Sequence, residues 1–348
     1  MKKLHAALGV LACSVGGAAL AQSSVTVSGL VDIGLQSGKV LGTTENTTQM
    51  LSGGMTTSWF GFTGTEDLGG GLKAGFKLTA FFVPSIGVYG RNIPGDTLFS
   101  RDAAVSLSGG FGSVVLGRQI DPAFVPIVAF NPFGDSFQYS PLVFHSYLDT
   151  AFTNYQAPLF STDSGWNSTV TYVTPNFGGL SGSVSYEPGG IAGKTSASNY
   201  GANVLYFSGT FSGAAFYQDD DLTSPGTSAQ LSSKVRTYGV SGAYDLQVVK
   251  LFANYFNSKN QISPNLPTSN DKIFNVGASV PVGAGNVMVD WADTKSDGSV
   301  LNVKWTTISL GYDYFLSKRT DVYANDMINK ETALDHSNVF GVGIRHRF

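Results

Sequence analysis

The sequence predicts an all-β protein, a 16-stranded antiparallel transmembrane β-barrel with short turns at one end and long loops at the other. Three observations carry that expectation. Apolar and polar residues alternate with period two in runs of roughly 9–11 residues, the length a tilted strand needs to span hydrocarbon. Connections alternate between very short and long. Charged residues are only 13%, yet no run of ~18 consecutive apolar residues follows the N-terminal segment, so no membrane-crossing helix is expected.

The elements follow in chain order. Lys2 and Lys3 precede an apolar, Ala- and Gly-rich run over 4–20, and Ala19-Leu20-Ala21 offers a small-x-small cleavage pattern. Residues 1–21 therefore read as an export signal peptide and 22–348 as the barrel. Cys13 is the only cysteine and falls in the signal, so the exported chain has no disulfide and no Cys-based metal site. Strand alternation begins at once, with Val25, Val27, Val31 and Ile33 on one parity and Thr26, Ser28 and Asp32 on the other. Further runs set Leu72, Phe76 and Leu78 against Lys73 and Lys77, and Ile308, Leu310 and Tyr312 against Thr307, Ser309 and Asp313. The last run sets Phe340, Val342, Ile344 and Phe348 against Gly341, Gly343, Arg345 and Arg347. Tyr and Phe recur at run ends, where interfacial girdles require them.

Short connections rich in Gly, Pro, Asp and Asn read at 66–71, 108–112, 174–179, 210–213, 245–247, 281–285 and 315–319. Long polar segments lie near 36–56, 83–99, 120–165, 188–199, 220–233, 258–271, 295–302 and 330–337. Seven turns and eight loops make about sixteen strands, with both termini on the short-turn, periplasmic side and the long loops extracellular. The segment at 120–165 exceeds the ~12–15 residues that bound an ordinary structureless loop. It also carries Phe124, Ile127, Phe130, Phe133, Leu142 and Phe144, which a free loop would not keep in water. It is expected to fold into the lumen as a constriction loop.

Four stretches resemble Gram-negative general porins, in particular the β-proteobacterial outer-membrane porin family. They are WFGFTGTEDLGGGLKAGFKL, SRDAAVSLSGGFGSVVLGRQ, YVTPNFGGLSGSVSY and the C-terminal GVGIRHRF. They span the chain from the first hairpins to the last strand. The resemblance implies a homotrimer in the Gram-negative outer membrane, each subunit a passive diffusion channel for ions and small hydrophilic solutes. It implies sixteen strands, a third loop that sets the pore size, and a terminal aromatic, Phe348, read by the barrel-assembly machinery. Arg118 falls where the family places a basic constriction residue. Trp59 and Thr63 stand where the family commonly has Arg and Lys, a departure that thins the basic wall.

A selective pore needs basic groups on one wall facing acidic groups on the loop. By parity Lys73 and Lys77 point into the lumen, with Asp32, Arg345 and Arg347. Asp121, Asp135 and Asp149 are the acidic candidates on the loop, and His145 could titrate beside them. Arg236, Lys272 and Lys304 have lipid-side parity at extracellular strand ends and are candidate contacts for outer-membrane lipid, lipopolysaccharide in particular. Other classes find less support. The export-processed chain has three histidines, none in an HExxH pair or beside a GxSxG elbow, so no catalytic residue, cofactor or metal is expected. A formal net charge of −3 without any basic run gives no footprint for nucleic acid. A soluble sandwich or adhesin of this length should carry more charge and needs no alternation of short and long connections.

Overall fold

A computed structural model describes residues 24–39, 41, 43–93, 96–147, 163–189, 198–221, 234–261, 268–298, 302–332 and 334–348; the expected export signal and Asp149 lie outside them. β1 (Ser24–Lys39) starts the wall. β2 (Asn46–Ser52) and β3 (Trp59–Gly69) both pair antiparallel with β1 and share one position, β2 on its second half and β3 on its first. The sequence pattern reads 36–56 as loop. The Thr- and Gln-containing stretch of β2 instead adds to β1, because a polar segment at the rim gains ladder hydrogen bonds without facing hydrocarbon.

β4 (Leu72–Val83) follows, and β5 (Val88–Tyr89) is a two-residue appendage to its end. β6 (Asp102–Gly109), β7 (Gly112–Ile120), β8 (Gly165–Val173), β9 (Leu180–Glu187), β10 (Asn199–Ser208) and β11 (Phe211–Asp221) continue the wall. β12 (Lys234–Asp245), β13 (Lys250–Gln261), β14 (Thr268–Val282), β15 (Gly285–Gly298), β16 (Val303–Phe315), β17 (Thr320–Glu331) and β18 (Ser337–Arg347) complete it. The result is a closed barrel of sixteen strand positions with two extra strands, sealed where β18 pairs with β1 from Leu30↔Arg347 to Lys39↔Asn338. Gly29 and Phe348 exchange backbone hydrogen bonds at 3.1 and 3.0 Å, so the chain end is stitched into the seam. Closure satisfies the backbone groups that hydrocarbon cannot.

Burial reveals which side is wet. Ile308 and Leu310 are 43% and 58% exposed, whereas Thr307 and Ser309 between and beside them are fully buried. A soluble sheet does the reverse. The apolar parity faces outward along β1, β6, β9, β12, β14 and β18 as well, where Val25, Val105, Val184, Val240, Val276 and Val342 are exposed. All seven turns predicted to be short are short, from Gly69–Leu72 between β3 and β4 to Phe315–Thr320 between β16 and β17. Gly283, at φ +60°, takes the left-handed conformation that the two-residue turn into β15 needs.

Candidate pore constriction

The segment after β7 turns inward. Asp121 Oδ1 accepts the Phe124 N–H at 2.7 Å and starts α1 (Phe124–Val128). α2 (Pro141–Tyr147) begins with proline, whose missing N–H costs nothing at a helix start, and Ser140 Oγ accepts from Val143. Between them Asn131 ties the turn together, donating to the carbonyls of Ile127 and Gly134 and accepting from Phe133 N–H and Ser140 Oγ.

The wall receives this loop through its polar parity. Asn203 donates to Pro122 O, Ser241 to Pro126 O and Asn254 to Phe130 O, each at 2.8–2.9 Å, while Gln218 accepts from Ala123 N–H. Phe133 and Tyr139 pack with Leu51, Met55, Met288, Tyr323, Met327 and Val339. Burying each such ring is worth roughly 1.5–3 kcal/mol. Close approach needs bare backbone: a Cβ on Gly341 would lie 1.9 Å from the Tyr139 hydroxyl, and one on Gly277 would lie 2.7 Å from Pro132. α2 is anchored by His145, whose two ring nitrogens bond Thr294 and Thr307 at 2.7 Å while its ring stacks on Trp305 at 4.0 Å. Burial pushes the His145 imidazole down to about 3, so it is neutral. None of these anchors lies on β3, β4 or β6.

That arc carries the basic side of the lumen. Lys77 and Arg101 both reach Asp102 Oδ2, at 3.0 and 3.3 Å, and Thr79 Oγ1 donates to the same oxygen. The Arg101 guanidinium also lies 4.2 Å from the centre of the Trp59 ring. One buried carboxylate thus serves two cations, and the Lys77 side chain remains 45% exposed against 4% for Asp102. Lys73, two pleats down β4, is exposed.

A second cluster sits at the seam. Arg345 holds Asp321 at 2.8 Å and Asp313 at 2.9 Å and donates to Thr56 Oγ1 at 3.0 Å; Arg347 bonds the other Asp321 oxygen. Thr56 belongs to an excursion over 53–58, opposite Val31 and Asp32, where the wall leaves its ladder between β2 and β3. The cause is Asp32. Its Oδ2 accepts the N–H groups of Met55 and Thr56 at 2.8 and 2.9 Å, and its Oδ1 accepts the Tyr323 hydroxyl at 2.6 Å. The excursion touches the loop tip: Thr56 Oγ1 donates to Asp135 Oδ1, and Ser136 Oγ to Gly54 O. Burial pushes the Asp135 carboxyl above its ordinary value, against the pull of the Thr56 bond and of Arg345 and Arg101.

The remaining candidates are distributed differently. Arg118 lies opposite Ala103, in step with the outward Leu116, beside a register break at Gly117/Gln119. Its guanidinium bonds Ser100 O, Asn167 Oδ1 and Asp163 Oδ2, the last at 2.6 Å. Asp163 also takes Arg91 at 2.5 Å, and although burial alone would raise its carboxyl, these two guanidiniums hold it below the ordinary range. Asp121 is buried at the root of the loop, where burial pushes its carboxyl up to about 7. The structure therefore brings Asp135, Arg345 and Asp32 together through Thr56, joins Arg347 to them through Asp321, and sets Lys77 with Arg101, but leaves Arg118 with Asp163 at the loop root. Arg236, Lys272 and Lys304 lie outside the barrel, paired with Asp219, Asp297 and Asp293. Arg101, Asp102, Asp163 and Thr56 escaped sequence reasoning. The only available signal was that Asp102 shares the Ser106 and Ser108 parity.

A family model described as Gram-negative porin matches residues 6–327. Outer membrane porin protein 32 of Delftia acidovorans is 35% identical over 334 residues, covering 93% of this chain and 88% of that protein. An outer membrane porin protein of Bordetella pertussis is 29% identical over the full length of both chains, 100% of each. Among solved structures, an anion-selective porin from Comamonas acidovorans matches with a TM-score of 0.75 at 26% identity, over 94% of this chain and 100% of that one.

Proposed function

The chain belongs to the Gram-negative porin family, and from that premise we propose that its pore passes small anions in preference to cations. It is an outer-membrane porin, a passive diffusion channel whose lumen is lined by the polar parity of its strands. The observation that carries the preference is an inequality of exposure. The lumen acids are sunk beneath their partners, with Asp102, Asp313 and Asp321 side chains 4%, 7% and 0% exposed. Three of the four bases paired with them stand forward, with Lys77, Arg101 and Arg347 at 45%, 25% and 38%, while Arg345 lies as deep as its acids at 10%. A permeating ion meets the forward charge first, and in a narrow low-dielectric passage that charge is only partly screened over the ~8 Å Debye length of physiological salt. The name of the Comamonas relative is in keeping with this reading.

Reversal potential in a KCl gradient tests it. The parent should favour chloride, and Lys77→Gln with Arg101→Gln should move the potential toward potassium while the channel stays open. A cation-preferring parent, or an unmoved potential, would refute the proposal.

The homotrimer, the cleaved signal over 1–21 and recognition of Phe348 by the assembly machinery belong to the same reading. They rest on the resemblance and on the exposed apolar outer face of β1, β3 and β4 at Val25, Val27, Phe62 and Phe76. Mass measurement of the native, detergent-solubilised protein and N-terminal sequencing check the first two. The same reading assigns no catalysis, which a phospholipase assay on purified protein tests.

A further inference from the structure

Trp59 and Phe81 lie directly opposite each other on β3 and β4, on the lumen parity that Thr79 and Lys77 continue along β4. Each ring carries a guanidinium. Arg101 lies 4.2 Å from the centre of the Trp59 ring, and Arg91 lies 5.5 Å from that of Phe81. All four residues are half-buried, so the paired rings and cations form part of the wet wall. Their height is that of the constriction. Trp59 opens β3 immediately after the excursion over 53–58, whose Thr56 bonds Asp135 at the loop tip. Arg101 is near enough to attract the same carboxylate.

The two guanidiniums differ in what they have left to give. Arg91 is spent, its Nε, Nη1 and Nη2 all donating to Asp96 and Asp163. Arg118 and Arg345 likewise donate from all three nitrogens to the protein. Arg101 donates from Nη1 alone, to Asp102 Oδ2 at 3.3 Å, and that oxygen is shared with Lys77 and Thr79. Among the described residues, Arg101 Nε and Nη2 therefore have no protein acceptor, and Lys77 Nζ meets a single oxygen. A guanidinium fork and an ammonium thus stand beside an aromatic face with donors to spare. A chloride ion uses only their charge. A carboxylate can also fill the fork with two parallel hydrogen bonds. A carboxylate on a flat ring can in addition lay that ring against the indole, in the offset arrangement that aromatic pairs prefer.

We propose that Trp59, Arg101 and Lys77 form a binding subsite for aromatic carboxylates in the constriction, the two cations taking the carboxylate and the indole taking the ring. The subsite rests on the anion preference argued above and names the anions that gain most from it. Trp59 adds no charge to the wall but gives it a surface on which a planar anion can pause. A stop of this kind favours entry and is weak enough to permit exit, as conduction requires.

The test uses the full-length protein in planar bilayers, with chloride current read as benzoate, cyclohexanecarboxylate or acetate is added as the potassium salt. Benzoate and cyclohexanecarboxylate carry the same charge on rings of similar size, and only benzoate has a π-face. The parent should be half-blocked by benzoate at about fivefold lower concentration than by cyclohexanecarboxylate, the factor that one aromatic pair contributes. Trp59→Leu should bring that ratio close to one, and Trp59→Phe should keep it. Arg101→Gln should weaken block by all three carboxylates together. A ratio of one in the parent, an unchanged ratio in Trp59→Leu or an unchanged block in Arg101→Gln would overturn the subsite. Should Trp59→Leu fail to fold, the ratio in the parent decides. Reversal potential in the same bilayers keeps the two readings apart. A potassium-favouring parent overturns the anion preference, whereas a chloride-favouring parent with a ratio of one overturns the subsite alone.

Discussion

The Thr56 hydroxyl donates to Asp135 Oδ1 at 2.9 Å, and through this bond the barrel wall grips the tip of its constriction loop. The Thr56 hydroxyl oxygen itself accepts from Arg345 at 3.0 Å, so the grip is continuous with the seam that closes the barrel.

Thr56→Val should therefore loosen the loop without unfolding the wall. It leaves a carboxylate short of a donor, a loss of about 1–3 kcal/mol in docking. Single-channel records should gain brief closures relative to the parent, and Thr56→Ser should restore steady current.

His145 gives the docked loop an acid limit. Docked, burial holds its imidazole at about 3; released into water it returns to about 6.5. Between those values the released loop binds a proton that the docked loop refuses, so docking from this group is complete above about 6.5 and weakens as pH falls toward 3. At pH 5 the loss is about 2 kcal/mol. Asp121 runs the other way: burial raises it to about 7, so its contribution is lost as pH rises through that value. Comparing the parent with His145→Gln isolates the histidine. Protease cleavage of the loop between pH 7 and 4.5 should rise with acid more steeply in the parent than in the variant.

Gly341 makes room for Tyr139. A methyl at this position would sit 1.9 Å from the phenol oxygen, which is fully buried and has nowhere to withdraw. Gly341→Ala should displace the loop tip from β18, a strain of roughly 1–3 kcal/mol. The barrel should retain its resistance to detergent while mean conductance departs from that of the parent.

Arg118 and Lys77 should separate in a selectivity measurement. The Arg118 guanidinium is 13% exposed and bonded to Asp163, whereas the Lys77 ammonium is 45% exposed over a buried partner. In a KCl gradient Lys77→Gln should shift the reversal potential more than Arg118→Met. The Arg118 variant should instead leave the loop root easier to cleave, because Asp163 keeps only Arg91.

Much of the barrel was legible because period-two alternation is a local property. Thr307 and Ile308 declare opposite faces whatever lies elsewhere in the chain. The seven short turns were equally plain, six carrying their own Gly, Pro, Asp or Asn and the one at 315–319 turning on Ser317. The inward loop was legible from Phe130, Phe133 and Leu142, which had to be covered by something. The excursion at 53–58 was not. Nothing in SGGMTTS announces that Asp32, on β1, will collect its backbone N–H groups, and the same stretch in another wall would pass for a loop tip.

By itself, then, the amino-acid order determined strand parity, turn positions, the even count and the lumenward pointing of Lys77, Asp32 and Arg345. Tertiary structure alone decided which charges meet. Arg101 shares Asp102 with Lys77, Thr56 links Arg345 to Asp135, and Arg118 ends beside Asp163 because closure of the sheet sets registers between segments tens to hundreds of residues apart. Pairing energy depends on those distances and on burial, and neither is written in any single strand.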